Sequence, residues 1–373
     1  MHIGIDVSPA LRKHKTGVEW YVYHCVSQML QLESSHTFLL YADKKFSSDF
    51  LDTNNSVQQK YLPWPFALFW SEFRLSYECF RKAPDVLFVP GRGLPLIHPK
   101  KTITAIHDLG FFEHDPYRSR KRIEYLKWSN QFAVSHASHI ITFANFTKEE
   151  IIKRYGISEK LITVIPHAYD NEIFHGSYSQ QEVDEFLDRK GIKKPYIVSI
   201  SRIDGRKNII RLTRAFEKVH LQHEELSLVL AGPLGFFGDE IKKAWEATNC
   251  ASAIQYLSWI EEREKALLLQ GAACFVFPSL FEGFGIPVLE AQGSGVPVLC
   301  SSTTTLPEVV GEGALFFDPL SIDNIAEKIN QILSDHALSQ QLIQKGLENT
   351  KRFSWKKTAE KTLEILVNHK IAS

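Results

Sequence analysis

Short apolar runs alternate with longer stretches in which apolar residues recur every three or four positions, and this alternation continues almost from end to end. Short runs of this kind fit strands of a parallel sheet buried on both faces, and the longer stretches fit the helices that cross between them. In the first half the pattern predicts strands at 3–7, 38–41, 86–89, 102–106, 140–143 and 162–165. In the second half it predicts them at 196–201, 227–231, 274–277, 297–300 and 315–317. Between the two sets lies a polar stretch from Pro166 to Pro195, whose start reads as a domain hinge. The last segment, 354–367, has helical spacing with Ser354 as its N-cap, and Thr147 with Glu150 reads as a capping box opening an earlier helix.

A chain of 373 residues is longer than one hydrophobic core usually serves, so two domains are expected. The 43 basic and 43 acidic side chains cancel, which leaves no global field to favour nucleic acid. Five cysteines at scattered positions match neither a disulfide framework nor a metal spacing and fit reduced, cytosolic thiols. The chain opens directly into a predicted strand, leaving no room for a signal peptide, and no apolar run approaches the roughly 20 residues of a membrane span. A cytoplasmic protein is expected, with peripheral seating on the cytoplasmic membrane face as a further option.

The most informative segment is 281–292, FEGFGIPVLEAQ, where Glu282 and Glu290 have seven residues between them. A strand-like run precedes it, Gly283 and Gly285 break it, and Pro287 suits the first turn of a helix. Strand, glycine loop and helix N-terminus together form an anion site in α/β proteins. Carboxylates beside such a site would repel phosphate and are better suited to accept hydrogen bonds from hydroxyls. A ligand carrying both groups is a nucleotide sugar.

A second constellation supplies the positive charge. Arg202, Arg206 and Lys207 leave the strand predicted at 196–201 together, where a helix beginning near Asn208 adds N–H donors. Arginine grips phosphate in two places and lysine supplies a point charge, so such a pair could neutralise a departing diphosphate without a metal. Near the start, Gly17 follows a strand and leads into a helical run, but no G-x-G-x-x-G fingerprint stands there. His107 and Asp108 end the strand predicted at 102–106, which puts His107 at a cleft edge. A metal site built from that pair, His114, Asp115, His136 and His139 draws on unrelated elements, and His136 and His139 read simply as one helical turn apart. The aromatic run 62–70 and the basic run 117–122 could pair at an anionic bilayer or a lipid-linked acceptor, or be a packed loop and a solvated helix face.

Residues 278–298, PSLFEGFGIPVLEAQGSGVPV, resemble throughout the two-glutamate signature of the retaining nucleotide-sugar glycosyltransferases of family 4. Leu306 to Glu308 and Phe317 to Pro319 follow at that family's distances, and Ser201-Arg202 with Lys207 resembles its phosphate-gripping pair. Val164 to Asp170 is similar to its approach to the hinge, His107-Asp108 to its acceptor-domain strand end, and Thr16 to Val18 to its N-terminal glycine loop, with one glycine where many members have two. The overall likeness leans toward the mannosyltransferases.

The resemblance implies an α/β architecture of the GT-B kind, two Rossmann-like doubly wound parallel-sheet domains facing each other across a cleft. The acceptor domain would comprise 1–169 with a returning helix in 354–373, and the donor domain 170–353. It further implies that Glu282 hydrogen-bonds the donor sugar, beside Gly283, Phe284, Gly285 and Ile286, and that Glu290 binds the ribose. Arg202 and Lys207 would hold the diphosphate, His107 would contact the transferred sugar, and Gly17 would line the donor. The implied catalytic set is His107, Arg202, Lys207 and Glu282, with no metal and no cofactor beyond the donor. The reaction implied is retaining transfer, by a front-face route, of a hexose, mannose from GDP-mannose, to a glycan or lipid-linked acceptor of a cell-surface polysaccharide. A UDP-sugar donor, a sugar-nucleotide epimerase and a non-catalytic binding protein stand as alternatives.

Overall fold

The structure is a computed structural model, and it describes residues 1–33, 35–46, 56–66, 68–91, 93–112 and 120–369. His114, Asp115 and residues 117–119 of the basic run lie outside the described residues. The chain forms two compact units. The first comprises Met1–Leu109, Arg120–His167 and Phe353–Ser373, and the second comprises Ala168–Arg352 with the stretch that begins at Gly110.

In the first unit the chain runs through β1 (His2–Asp6), α1 (Gly17–Gln31), β2 (Thr37–Ala42), β3 (Val57–Tyr61), α2 (Ser76–Arg81), β4 (Val86–Val89) and β5 (Thr102–Ala105). It continues through α3 (Arg120–His136), β6 (His139–Thr142), α4 (Asn145–Tyr155) and β7 (Ile162–Val164). All seven strands pair in parallel in the order β3-β2-β1-β4-β5-β6-β7. The central strands are apolar on both faces: Ile3, Ile5, Val86, Leu87, Phe88 and Val89 are all buried, as a sheet covered by helices on either side requires.

The second unit runs through α5 (Gln180–Lys190), β8 (Tyr196–Ile200), α6 (Ile209–His220), β9 (Ser227–Ala231), α7 (Gly238–Glu246), β10 (Ile254–Leu257) and α8 (Glu262–Gln270). There follow β11 (Cys274–Phe277), α9 (Ile286–Gly293), β12 (Val298–Ser301), α10 (Leu306–Val310), β13 (Leu315–Phe317), α11 (Ile322–Ser334) and α12 (His336–Thr350). Its six strands are also parallel, ordered β10-β9-β8-β11-β12-β13. One face of the sheet is covered by Leu212, Phe216 and Val219 of α6 and Ile325, Ile329 and Ile332 of α11, each set at helical spacing. Burying one such side chain contributes about 1.5–3 kcal/mol. The last helix, α13 (Trp355–Asn368), belongs to the first unit, where Thr358 donates to the Pro166 carbonyl at 2.8 Å and Lys101 to the Val367 carbonyl at 2.9 Å.

Each sheet reverses its order of addition once, between β1 and β4 and between β8 and β11. At such a switch point the loops leaving the two carboxyl ends diverge and open a crevice. Three expectations need correction. Strands β3 and β10 were not foreseen, since both are edge strands without a fully buried residue and neither reads as an apolar run. Helix α4 begins at Asn145 after an extended Ala144, so Thr147 lies inside the first turn with its hydroxyl buried and does not cap the helix. His136 ends α3 and His139 begins β6, so they do not share a helical turn.

Candidate active site

The second unit's switch point brings together the two constellations singled out in the sequence. Beyond β8 the chain makes a turn of 3-10 helix at Gly205–Lys207, and beyond β11 it enters the glycine loop. The loops are joined by backbone, Leu280 N–H donating to the Arg206 carbonyl at 2.9 Å. Across this junction Lys207 Nζ donates to Glu282 Oε1 at 2.5 Å, and Ser279 Oγ donates to the same oxygen at 2.5 Å. Both charged groups are buried, and the ammonium lies 5.0 Å from the centre of the Phe277 ring. A buried charge is tolerable only when paired and hydrogen-bonded, and each group here supplies the other's partner.

Residues not singled out in the sequence hold this arrangement. Asn208 has φ of 59°, a left-handed conformation, and its side-chain amide donates to the carbonyls of Pro278 at 3.1 Å and Pro319 at 2.7 Å. It thus links three loops at the base of α6. Thr305, fully buried, shares its one hydroxyl proton between the carbonyls of Glu282 at 3.0 Å and Phe284 at 3.2 Å, and Thr304 Oγ1 accepts from the Glu282 N–H at 3.2 Å. A side-chain amide in a left-handed turn was the one legible signal; the two threonines gave none.

Helix α9 starts at Ile286, carries Pro287 in its first turn, and is preceded by Gly285 at φ of 100°, where any Cβ would also come within 2.8 Å of Leu306. Phe284 is buried, whereas Gly283 and Ile286 are half-exposed. One turn into the helix, Glu290 is buried against Lys265 of α8, whose Nζ donates to its two oxygens at 3.2 and 3.1 Å and to Glu262 at 2.9 Å. Burial dominates the carboxyl of Glu290 and raises its pKa to about 7, while Lys265 pulls it back and Glu262 and Asp170 push it further up. Burial disfavours the Lys265 cation, yet the two facing carboxylates outweigh it and raise its pKa. Lys265 is not legible as a site residue in the sequence, because it belongs to the charged run Glu262–Lys265 at the start of α8, a pattern typical of a solvated face. Arg202 is exposed just beyond β8, with its side chain against Gly235.

In the first unit Gly17 is exposed at the start of α1, where the Thr16 N–H donates to Glu19 at 3.0 Å across the first turn. His107 follows β5, half-buried, with Nε2 at 2.7 Å from the Pro90 carbonyl, so that nitrogen carries the proton. Its ring packs among Tyr21, Phe143 and His167, and burial lowers its pKa. His167, stacked 3.8 Å from Phe143, is held well below the ordinary histidine range by burial and by His107. The structure therefore presents His107 as a neutral ring in a fixed tautomer, its Nε2–H given to Pro90 and its Nδ1 left as the accepting nitrogen.

Among the described residues, no group of three or more His, Cys, Asp or Glu could hold a metal ion. His139 instead bonds Thr163 at 2.8 Å and packs against His369. All five cysteines are buried free thiols.

Comparisons with known proteins agree along most of the chain. The family described as "Glycosyltransferase Family 4" matches residues 15–173, and that described as "Glycosyl transferases group 1" matches residues 179–349. The O-antigen chain mannosyltransferase B of Escherichia coli is 30% identical over 266 residues, which cover 71% of this chain and 69% of that protein. The serotype-specific mannosyltransferase WbdA of E. coli is 26% identical over 270 residues, and there the match takes in only a third of the relative's length (33%). Among solved structures, WaaG, titled a glycosyltransferase involved in lipopolysaccharide biosynthesis, superposes with a TM-score of 0.75 at 13% identity, covering 98% of this chain and all of that one (100%). The sucrose-phosphate synthase of Thermosynechococcus elongatus superposes with a TM-score of 0.78 at 16% identity, covering 98% of each chain. At such identities the structural likeness shows the GT-B fold alone.

Proposed function

This chain is a member of the family 4 glycosyltransferases, and from that premise we propose that it transfers mannose from GDP-mannose to a glycan or lipid-linked acceptor of a cell-surface polysaccharide. Family members generally retain the anomeric configuration and work without a metal. The observation that carries the reading is the buried contact between Lys207 and Glu282 at the switch point of the second unit. Lysine has three protons to donate and Glu282 takes one, so the ammonium can also face phosphate oxygens. Arg202, exposed beyond the same strand, is suited to grip the diphosphate from the solvent side.

In this reading Lys207 and Arg202 stabilise the charge that builds on the departing diphosphate, the term that usually contributes most. Glu282, fixed by Lys207 and Ser279, accepts hydroxyls of the sugar, with the Gly283–Gly285 backbone, Phe284 and Ile286 alongside. Glu290, oriented by Lys265, accepts the ribose hydroxyls. In the first unit the resemblance assigns Gly17 to the donor and His107 to the transferred sugar, and with Nε2–H given to Pro90 its Nδ1 is suited to accept a hydrogen bond from a sugar hydroxyl. The mannosyl assignment draws its support from the E. coli O-antigen relative.

The test is transfer from labelled GDP-mannose, UDP-glucose and ADP-glucose to mannosylated oligosaccharides, with thermal melts against GDP, UDP and ADP. Transfer and stabilisation confined to the guanosine donor are expected. Turnover of a UDP-sugar alone would overturn the mannosyl assignment.

A further inference from the structure

We propose that the first unit seats on an anionic bilayer through an aromatic face built from residues 64–66, 68–80 and helix α3. A wide helical turn at Trp70–Leu75 runs directly into α2, and Trp70, Leu75 and Cys79 turn inward to the core. The opposite stripe of a surface helix is ordinarily polar. Here it carries Phe69, Phe73, Tyr77 and Phe80 at helical spacing, with 43%, 52%, 54% and 72% of their surface exposed.

Neighbouring rings link this stripe to exposed Phe66 and Trp128 through Trp64, Tyr125 and Phe132, which are half-buried, Trp64 and Phe132 resting on the core. Phe73 lies 6.3 Å from Trp64, which lies 5.4 Å from Phe66. Phe69 lies 5.6 Å from Tyr125 of α3, and from there contacts continue to Trp128 at 6.0 Å and Phe132 at 5.8 Å. The Tyr125 hydroxyl donates to buried Glu72, which ties α3 to the helical turn and makes the rings one platform. Cations rim it: Arg74 and Arg81 lie over Tyr77 at 5.8 and 6.0 Å, and Arg122 lies over Tyr125 at 5.3 Å. Lys82, Arg120 and Lys121 are exposed on the same two segments, where the only other acids are Glu78 and Glu124.

Aromatic rings with basic side chains suit the headgroup layer, where the rings meet acyl boundaries and the cations meet lipid phosphates. A second copy of this chain is disfavoured on this face, because a two-fold contact would set its excess positive charge against itself. Among the described residues no helix is long and apolar enough to cross a membrane, so the contact would be surface seating.

The test is flotation of the full chain with vesicles of mixed phosphatidylglycerol and phosphatidylethanolamine, against vesicles of phosphatidylcholine. The outcome does not depend on donor or acceptor identity. Wild type should float with the anionic vesicles and be released by salt. Phe73→Ser/Phe80→Ser should lower partitioning about tenfold or more at every salt concentration. Arg81→Glu/Lys121→Glu should lower it at least about tenfold on anionic vesicles and little on neutral ones. All four side chains are exposed, so the variants should fold, and a circular-dichroism melt checks that. Wild type left at the bottom of the gradient, or both variants floating like wild type, would overturn the proposal. So would a concentration-dependent dimer that the serine variant disperses while wild type ignores vesicles, which would assign the face to a second copy.

Discussion

At the scale of single residues, the two signature glutamates sit in different electrostatic surroundings, and different assays report on them. Glu282 shares a buried contact with Lys207, so Lys207→Ala removes the proposed phosphate partner and leaves a carboxylate without its cation. Turnover at saturating donor should fall by about 2–4 kcal/mol of transition-state stabilisation. Steady-state transfer measures it, and a variant at near-normal rate would sink the assignment. Glu290 titrates close to neutrality because burial raises its pKa to about 7. In the proposed ribose-binding role the carboxylate is the better acceptor, so donor affinity should strengthen as pH rises from about 6 to about 8. Lys265→Met removes the cation that lowers this pKa and should move the rise to higher pH, readable by titration calorimetry with the donor. An unshifted profile would dissociate Lys265 from donor binding. Stability carries the opposite sign: a raised folded-state pKa means the contribution of Glu290 is present in acid and lost as pH rises through about 7.

At the scale of elements, the site depends on how loops are fastened at the ends of β8 and β11. Asn208→Ala loses two buried hydrogen bonds of about 1 kcal/mol each and adds about 1 kcal/mol for a left-handed alanine. A loss of about 3 kcal/mol should lower the melting temperature by roughly 6–12 °C for a unit of this size. Asn208→Gly, which relieves only the backbone term, should recover part of it, and equal melts for the two variants would contradict this division. Gly232, at φ of 130°, lets β9 leave the sheet where a Cβ would stand 2.1 Å from the Ser201 carbonyl. Eleven strands are legible as apolar runs, nine of them inside the sheets or largely buried and two, β7 and β13, at sheet edges but still apolar in sequence. The polar edge strands β3 and β10 become strands only through their neighbours β2 and β9.

At the scale of the whole molecule, the chain's last helix stabilises the unit that contains its beginning. Helix α13 buries Trp355, Thr358, Ala359, Thr362 and Leu366 in the first unit, and Cys25 of α1 lies 3.8 Å from the Thr362 hydroxyl. A chain ending at Arg352 should therefore lose amide protection in α1 and the first sheet while the second unit stays protected, as hydrogen exchange would record. Uniform loss, or none, would contradict that division. Transfer should also continue in excess EDTA if Arg202 and Lys207 hold the diphosphate as proposed, and loss of transfer on chelation would contradict that role.

Local pattern determined much of this protein: the buried strands, Pro287 and Gly285 around the start of α9, Ser354 as the cap of α13, and the motif by which its family is identified. These are set by side-chain burial and backbone preference within a few residues, which sequence displays directly. Tertiary structure alone decided that Lys207 bonds Glu282 across 75 residues, that Lys265 orients Glu290, and that Asn208 reaches Pro319. It also decided that the Phe69 ring meets Tyr125 of α3 and the Phe73 ring meets Trp64. A charge or a ring finds its partner only when two strand ends or two helices are brought together, and no local spacing records that distance.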